Sequence, residues 1–320
     1  MTTFKEIRGT AVRSLSSDPS NPEEGQLWYN NSIGVLKGYR SLGGVWASGG
    51  NMGTARYGLG NAGTQTAGLG FGGYATASSN ATEEYDGSTW TAGGNLATAR
   101  HVLSGAGIQT AGLAIGGSTP PTATNATEEY DGSTWTGGGN LNTARYALAG
   151  CGTQTAGLGF GGYTTTLQSA TEEYDGSAWT AGGNLNTARS LLAGAGIQTV
   201  GLAFGGNGPS NATEEYNGSA WTAGGSLNTA RSSLSGCGTQ TAGLAFGGVT
   251  TVNTGATEEY NGTSWTAGGA MTTARFGLSG AGTQTAGLGF GGRISTTNQS
   301  VTEEYTDPTI VVRTITTSTS

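Results

Sequence analysis

The stretch that decides the fold runs Thr98-Ala-Arg-His-Val-Leu-Ser-Gly-Ala-Gly-Ile-Gln-Thr-Ala-Gly-Leu-Ala-Ile-Gly-Gly117 and, after a variable segment, Ala126-Thr-Glu-Glu-Tyr-Asp-Gly-Ser-Thr-Trp135. Its landmarks recur six times along the 320-residue chain. Self-similarity at a fixed period of roughly 20 to 50 residues is the signature of a repeat architecture, in which each copy is one supersecondary unit. The 62 glycines therefore belong to an ordered repeat and not to a disordered tail.

Four landmarks define each copy. An arginine follows Thr-Ala in every copy: Arg56, Arg100, Arg145, Arg189, Arg231 and Arg275. The Gly-Gly pairs begin at Gly72, Gly116, Gly161, Gly205, Gly247 and Gly291. Thr-Glu-Glu precedes the tyrosines Tyr85, Tyr130, Tyr174, Tyr216, Tyr260 and Tyr305. The tryptophans are Trp46, Trp90, Trp135, Trp179, Trp221 and Trp265, separated by 44, 45, 44, 42 and 44 residues.

Each copy divides into four short strands. The first two, such as Tyr57–Gly63 and Thr64–Gly72, are joined by a glycine-rich turn, and the second alternates large and small residues with the period of 2 expected of a strand. The third strand reads Ala-Thr-Glu-Glu-Tyr, and the Asp-Gly or Asn-Gly after it predicts a two-residue hairpin into the strand that carries the tryptophan. No segment has a helical period. The sequence thus predicts an all-β fold, a six-bladed β-propeller of four-stranded antiparallel blades.

The order of the landmarks predicts how the ring closes. The last copy has Arg275, Gly291 and Tyr305 but no tryptophan after them, whereas residues 44–49 carry Trp46 ahead of the first full copy. We therefore expect this N-terminal strand to complete the last blade and remove an exposed edge. The predicted boundaries are an attachment or linker segment with a β-hairpin at 1–43, the propeller at 44–306 and a tail at 307–320.

Within residues 1–43, Ser17–Pro22 predicts a turn-rich linker and Gly25–Tyr39 predicts the hairpin. Two arrangements of the hairpin are open. It could extend the closing blade outward, or it could supply the third strand of that blade and displace Tyr305.

Composition excludes several classes of partner. The formal net charge is −7, and both lysines, Lys5 and Lys37, precede the repeats, so a nucleic-acid partner is not expected. No apolar run is long enough for a membrane helix, and the N-terminus lacks the apolar stretch of a secretory signal, so we expect neither membrane insertion nor export by that route. Cys151 and Cys237 stand where the other copies have alanine, which predicts small buried fillers and no disulfide.

The repeat resembles the kelch repeat over residues 46–305. The resemblance rests on the Gly-Gly pair that ends the second strand, a tyrosine about 13 residues later, a tryptophan five residues beyond it and an arginine before the next blade. The copies are shorter than the usual kelch unit, and Thr-Glu-Glu replaces its more apolar third strand. The WD repeat, the alternative propeller unit, would bring a Trp-Asp dipeptide and a Gly-His, and the chain has neither.

The stretch from Asn21-Pro-Glu-Glu-Gly-Gln-Leu-Trp-Tyr-Asn to Leu-Lys-Gly-Tyr39 resembles a short module of virion structural and tail-fibre proteins of tailed phages, marine ones in particular. In those proteins it precedes Gly/Thr-rich repeats like these. The resemblance implies a virion component that is made in the host cytoplasm and contacts other virion proteins through its N-terminal segment. The alternative is a free carbohydrate-binding propeller lectin.

The residue set argues against an enzyme. Kelch-type oxidases need a copper site with several His and Tyr ligands, but His101 is the single histidine. The glutamates are spread one pair per copy, so we expect no metal site and no cofactor. Tyr-Asp-Gly-Ser-Thr-Trp resembles the Asp-box of sialidases, but its spacing differs and that family's catalytic set is missing. Serines are abundant, but there is no histidine base placed to activate one.

The arginines and tryptophans have a structural interpretation. Packed blades bury both faces of the third strand, so one glutamate per copy needs a partner, and the six arginines match six such glutamates. We expect six Arg–Glu pairs within or between blades. The six tryptophans are expected to pack blade against blade.

A ligand-binding face is predicted from the positions where the copies disagree. The residue after the arginine varies among the copies and includes Tyr57, His101, Tyr146 and Phe276. The segment after Gly-Gly varies in length and chemistry, and it begins with Tyr74, Tyr163 or Arg293 in three copies. Both positions open on the same end of a four-stranded blade, so they form one candidate surface for a host-cell glycan or receptor. Relaxed constraint on exposed loops is the alternative interpretation.

Overall fold

The computed structural model describes residues 12–18, 26–40, 43–307 and 311–314. It divides into two compact units, residues 44–306 and residues 1–43 together with 307–320. The described residues contain strands and turns but no helix. Parts of the linker predicted at Ser17–Pro22 and the beginning of the Asn21–Tyr39 module lie outside the described residues.

The smaller unit holds three strands near the N-terminus and one from the C-terminal segment. These are β1 (Arg13–Leu15), β2 (Leu27–Asn30) and β3 (Val35–Arg40), with a later strand, Val311–Thr314, at the edge beside β3. β2 and β3 form the predicted hairpin, and β1 runs parallel to β2. Trp28 is fully buried, and the Asp18 carboxylate accepts hydrogen bonds from Trp28 Nε1, Asn30 Nδ2 and Lys37 Nζ. These three donors lower the pKa of Asp18 to about 2, with Lys37 the largest cause.

Residues 44–306, all of which are described, form six four-stranded antiparallel sheets. After β4 (Val45–Ser48), sheet 1 contains β5 (Gly60–Gly63), β6 (Gly68–Phe71), β7 (Thr82–Tyr85) and β8 (Trp90–Ala92). Sheet 2 contains β9 (Ser104–Ile108), β10 (Ala111–Ile115), β13 (Thr127–Tyr130) and β14 (Trp135–Gly137), with the two-stranded ribbon β11 (Ser118–Thr119) and β12 (Thr122–Ala123) between them. Sheet 3 contains β15 (Ala149–Gly152), β16 (Gly157–Phe160), β17 (Thr171–Tyr174) and β18 (Trp179–Ala181).

The remaining sheets repeat the order. Sheet 4 contains β19 (Ala193–Ile197), β20 (Val200–Phe204), β21 (Thr213–Tyr216) and β22 (Trp221–Ala223). Sheet 5 contains β23 (Ser235–Thr239), β24 (Ala242–Phe246), β25 (Thr257–Tyr260) and β26 (Trp265–Ala267). Sheet 6 contains β27 (Ser279–Gly282), β28 (Ala286–Phe290) and β31 (Thr302–Thr306), with the ribbon β29 (Arg293–Ile294) and β30 (Thr297–Asn298). The later strand of the smaller unit is β32 (Val311–Thr314).

The fourth strand of sheet 6 is β4, from the other end of the repeat region. Tyr305 pairs with Trp46 and Thr306 with Val45, as the missing tryptophan of the last copy predicted. The idea that the hairpin would extend this sheet or displace Tyr305 is wrong, because sheet 6 is β27-β28-β31-β4 and the hairpin belongs to another sheet. The physical reason is that the edge of β3 pairs with β32, so the segment after residue 306 supplies a strand there.

The turn between the third and fourth strands differs from the predicted two-residue hairpin. Tyr85 pairs with Trp90, so the loop holds the four residues 86–89. Asp86 Oδ1 accepts hydrogen bonds from the backbone N–H groups of Ser88 and Thr89 at 2.8 and 2.7 Å. A side chain that captures two backbone donors in this way stabilises a wider turn than Asp-Gly alone requires.

Neighbouring sheets pack through the alternation of large and small residues. Leu69 and Phe71 of β6 are fully buried, and Leu69 fits against Gly112 of the next sheet, where a Cβ would lie 2.8 Å from the leucine Cδ2. The same large-into-small fit recurs between Leu288 and Gly68, at 2.6 Å. The core is therefore a series of apolar layers between sheets. Each layer includes a buried tyrosine and a tryptophan.

Candidate ligand-binding face

Six buried ion pairs hold the third strand of each sheet to the segment before its first strand. The pairs join Arg56–Glu83, Arg100–Glu128, Arg145–Glu172, Arg189–Glu214, Arg231–Glu258 and Arg275–Glu303. In sheet 3, Arg145 Nη2 lies 3.0 Å from Glu172 Oε1, while Nη1 donates to the Gly161 and Ala170 carbonyls. The other oxygen of Glu172 accepts from Asn142 N at 2.7 Å. The expectation of six Arg–Glu pairs is confirmed, and every pair lies within one sheet's own copy.

A second repeated contact was not expected from the sequence. The tyrosine hydroxyl of each sheet donates to the second glutamate of the preceding sheet, as Tyr174 does to Glu129 at 2.6 Å. The pairs are Tyr85–Glu304, Tyr130–Glu84, Tyr174–Glu129, Tyr216–Glu173, Tyr260–Glu215 and Tyr305–Glu259. The pKa of five of these tyrosines is raised to about 12. Burial is the larger cause and the hydrogen bond to the glutamate is the next. The five are Tyr85, Tyr130, Tyr174, Tyr216 and Tyr260. The second glutamate was the available signal, because each Thr-Glu-Glu has two carboxylates and the arginine of the repeated motif pairs with only one of them.

Tryptophan and glutamine side chains also connect neighbouring sheets. We call the Tyr–Glu, Trp–Thr and Gln–carbonyl contacts between two neighbouring sheets a joint. Trp135 Nε1 donates to Thr82 Oγ1 at 2.9 Å, and its ring lies 4.8 Å from that of Phe71. Gln154 Nε2 donates to the carbonyls of Gly112 and Tyr130. The expected packing of tryptophans between sheets is thus observed. The glutamine contact escaped sequence reasoning because Gly-Thr-Gln-Thr-Ala-Gly reads only as a turn.

The residue that follows each variable position adopts a left-handed backbone conformation. These residues are Gly58, Val102, Ala147, Leu191, Ser233 and Gly277, with φ between 50° and 62°. Their backbone groups form a closed cycle of hydrogen bonds. The backbone N–H of each residue donates to the carbonyl of the equivalent residue in the preceding copy, as Val102 N does to Gly58 O. The cycle closes where Gly58 N donates to Gly277 O. A β-branched residue such as Val102 is strained in this region. The cycle supplies a hydrogen bond to each of these backbone groups.

A cavity of about 300 Å³ lies beside this cycle. Its walls include the cycle residues and one leucine per copy: Leu59, Leu103, Leu148, Leu192, Leu234 and Leu278. Tyr57 and Phe276 also line it. The cavity therefore touches residues of all six copies and meets two of the candidate ligand-binding side chains.

The structure brings together the two sets of variable residues that the sequence singled out. Tyr57 pairs with Tyr74 through their backbones, Tyr146 with Tyr163, and Phe276 with Arg293, while His101 pairs with Ser118. The reason is local, because the residue after the arginine and the residue after Gly-Gly stand at the same end of adjacent strands. All seven predicted residues are partly exposed.

Four of these side chains form a continuous chain across sheets 6, 1 and 2. The guanidinium carbon of Arg293 lies 5.0 Å from the centroid of the Tyr57 ring. The Tyr57 and Tyr74 rings are 5.6 Å apart, and the Tyr74 and His101 rings are 5.2 Å apart in an edge arrangement. His101 Nδ1 lies 3.0 Å from Ser78 Oγ, and burial lowers the pKa of the imidazole below its ordinary value. We call Arg293, Tyr57, Tyr74 and His101 the aromatic arc.

The equivalent pairs of sheets 3, 4 and 5 differ in the size of their side chains. In sheet 3 the Tyr146 and Tyr163 rings are 5.6 Å apart. In sheets 4 and 5 the equivalent pairs are Ser190 with Asn207 and Ser232 with Val249. The two serines are buried. The surface is therefore asymmetric, with aromatic rings on four sheets and small side chains on two.

The end of the sheets that carries these residues, here called the loop face, comprises residues 49–59 and 72–81 and their counterparts in the other five copies. These segments contain no Asp or Glu, whereas the opposite end carries Asp86, Asp131 and Asp175 in its exposed turns. The turn aspartates accept several hydrogen bonds that lower their pKa well below its ordinary value. The two ends thus differ in charge, and the acidic groups stand away from the aromatic arc.

The described residues contain no group of three or more His, Cys, Asp or Glu that could hold a metal ion. Cys151 and Cys237 are buried, unpaired fillers, and burial raises the pKa of each thiol to about 12. Among the described residues, no helix has the length and apolar character needed to cross a bilayer. No protein-family model matches the sequence, and no curated protein is significantly similar to it.

Proposed function

We propose that this protein is a non-enzymatic virion structural protein, a tail-fibre or surface component, whose residues 44–306 form a closed six-bladed kelch-like propeller that binds a host-surface glycan or receptor through its loop face. The observation that carries the binding role is the aromatic arc. Partly exposed aromatic rings joined to an arginine are the side chains that saccharide and protein ligands stack on. They stand on a scaffold that is otherwise nearly identical from copy to copy.

The closed ring is supported by two independent features. The hydrogen-bond cycle returns to its starting residue after six copies, from Gly58 to Gly277. The pairing of β4 with β31 joins the two ends of the repeat region. A closed arrangement of sheets leaves no long unpaired edge, which would otherwise invite aggregation.

Two truncations test the closure. Removal of residues 1–43 keeps β4, so the shortened chain should keep the association state of the full chain, with little change in melting temperature. Removal of residues 1–49 also takes β4 away and exposes the edge of β31, so the melting temperature should fall by several degrees and the protein should aggregate. Equal stability and monodispersity of the two truncated proteins would contradict the closed ring.

The virion assignment rests on the resemblance of the Asn21–Tyr39 stretch to the tailed-phage module. Mass spectrometry of purified particles from the phage or prophage that encodes the chain should detect it, and antibody labelling should place it on the particle surface. If the chain is absent from particles and instead binds glycans as a free protein, the lectin alternative replaces the virion proposal. Binding to intact host cells, measured with the fluorescently labelled protein, tests the receptor role directly.

A further inference from the structure

Arg293 differs from the other arginines of residues 44–306. The six arginines of the repeated motif are buried and paired with glutamates, and this unit contains no lysine. Arg293 is partly exposed and forms no ion pair with any described residue. Its Nη2 donates to Thr296 O at 3.2 Å. Its Nε has no hydrogen-bond partner among the described residues, a feature that it shares with five of the six motif arginines. It is therefore the unit's one cation without a carboxylate.

The surroundings hold this cation in place. Its guanidinium lies over the Tyr57 ring, and its backbone is bonded in both directions to Phe276, at 2.8 and 3.1 Å. The adjacent ribbon is tied to sheet 1, because Asn298 Nδ2 donates to the carbonyls of Tyr74 and Ala75. A guanidinium stacked on an aromatic ring keeps its N–H edge available for an anion. The arc is thus ordered before any ligand arrives.

The charge distribution makes this position selective. The loop face has no Asp or Glu, and the first glutamate of each third strand is paired with an arginine, so nothing nearby neutralises Arg293 or repels an anion. The formal net charge of the whole chain is −7, and the exposed turn aspartates lie at the opposite end of the sheets. Within residues 44–306, Arg293 is therefore the position that attracts a negatively charged ligand.

We propose that the aromatic arc binds an acidic saccharide, with a sugar ring stacked on Tyr57 or Tyr74 and the sugar's anionic group accepting hydrogen bonds from Arg293. This deepens the proposed function, on which it rests, by naming the class of ligand and the subsite. His101 forms the far edge of the arc beside Tyr74. Sheets 4 and 5, with Ser190 and Ser232 at the equivalent positions, offer no such subsite.

The test uses the full-length chain on a glycan array that pairs each acidic glycan with its neutral counterpart. The pairs are sialylated and desialylated glycans, uronic-acid oligosaccharides and their carboxyl-reduced forms, and sulfated and unsulfated glycans. The native chain should bind acidic members at least about tenfold more strongly than their neutral partners. Arg293→Gln should abolish that preference, because a charge-assisted hydrogen bond is lost. Val249→Gln, at the same position in sheet 5, is the matched control and should change nothing.

The outcomes are distinguishable. If Arg293→Gln loses binding to acidic glycans while Val249→Gln keeps it, the inference stands, and the preferred pairs tell carboxylate from sulfate ligands. If the chain binds glycans but Arg293→Gln leaves the acidic preference unchanged, or if only neutral glycans bind, the inference is overturned and the binding function survives. If the native chain binds no glycan but does bind host cells, the ligand is not a saccharide and the inference fails. If it binds neither, the proposed function fails with it.

The folding control is the melting temperature of both variants. Values within about 2 °C of the native one show that a loss of binding is not caused by unfolding.

Discussion

The joints between sheets and the loop face differ in how much their residues vary from copy to copy. At the joints, the Tyr–Glu, Trp–Thr and Gln–carbonyl contacts are repeated from one sheet to the next with nearly the same distances. On the loop face, equivalent positions hold tyrosine, histidine, phenylalanine or serine, and the loops differ in length. The stabilising contacts of this molecule are therefore nearly identical from sheet to sheet, whereas the recognition proposed for the loop face would depend on side chains that differ among the copies.

The largest effect is expected at alkaline pH, where the hydroxyl contacts of all the sheet joints respond together. The pKa of Tyr130, Tyr174 and Tyr216 in the fold is about 12, above the ordinary value of 10.0, so the protonated phenol is favoured by folding. This contribution is complete below about pH 10 and is lost as the pH rises toward 12. Denaturant midpoints should therefore fall steeply above pH 10, in step with tyrosine ionisation followed by absorbance. A chain with all three tyrosines changed to phenylalanine should show a shallower fall, and a flat profile in the native chain to pH 11.5 would contradict the contact's role.

The next largest effect is expected from breaking one ion pair. Arg145→Met leaves the Glu172 carboxylate buried without its cation and should lower the free energy of unfolding by about 3–5 kcal/mol, measured by chemical denaturation. The double change Arg145→Met with Glu172→Leu should recover part of the loss, because no unpaired charge remains. Arg293→Met on the loop face is the matched control, with an expected change within about 0.5 kcal/mol. Equal effects of the two arginine substitutions would erase the distinction between joint and face.

A smaller effect is expected from removing one hydroxyl. Tyr174→Phe takes away the hydrogen bond to Glu129, a half-buried carboxylate that water can reach, and should cost about 1–2 kcal/mol. Tyr163→Phe is the control, since its hydroxyl donates to no described residue. Thermal or chemical denaturation of the pair measures the difference. A cost for Tyr163→Phe as large as that for Tyr174→Phe would argue against the joint as the source of stability.

The smallest effect on stability is expected from exchanging one loop for another. Replacement of Ser118–Asn125 by Asn207–Asn211 preserves the anchors, because Thr124 O and Ser210 O accept from the backbone N–H of Arg145 and Arg231 in the same way. Stability should change by less than about 1 kcal/mol, while adsorption to host cells or glycans should change measurably. Unchanged binding after such exchanges in several sheets, with binding lost on altering the opposite end, would move the recognition surface there.

Much of the architecture could be predicted from the sequence, because the repeat imposes it. The four strands per copy, the pairing of Trp46 with Tyr305 and the six Arg–Glu pairs all follow from spacing and from the cost of an unpaired buried charge. The co-location of Tyr57 with Tyr74 also followed, from the alternation of strand direction.

Other features depend on contacts between copies, which spacing does not reveal. The Tyr174–Glu129 contact joins residues 45 positions apart in different sheets, so the period-2 pattern of one strand could not assign it. The cycle through Val102 and Leu191 needs a left-handed conformation that nothing in the identity of these residues favours. The hairpin of residues 27–40 was misplaced because its partner strand, Val311–Thr314, lay in a segment with no repeat landmark.

The four-residue turn between the third and fourth strands affects how the protein degrades chemically during storage. In two copies the turn residue is asparagine before glycine, at Asn217 and Asn261, and both side chains are exposed. Asn-Gly sequences lose the side-chain amide spontaneously. Here Oδ1 of each asparagine accepts from the backbone N–H groups two and three residues further on, the role that the Asp86 carboxylate fills in sheet 1. Deamidation to aspartate would thus convert these turns into the form already present in sheets 1 to 3. Isoaspartate would lengthen the backbone and break them. Peptide mapping of stored protein should therefore find more acidic isoforms altered at 217 and 261, with the isoaspartate fraction accounting for any loss of melting temperature.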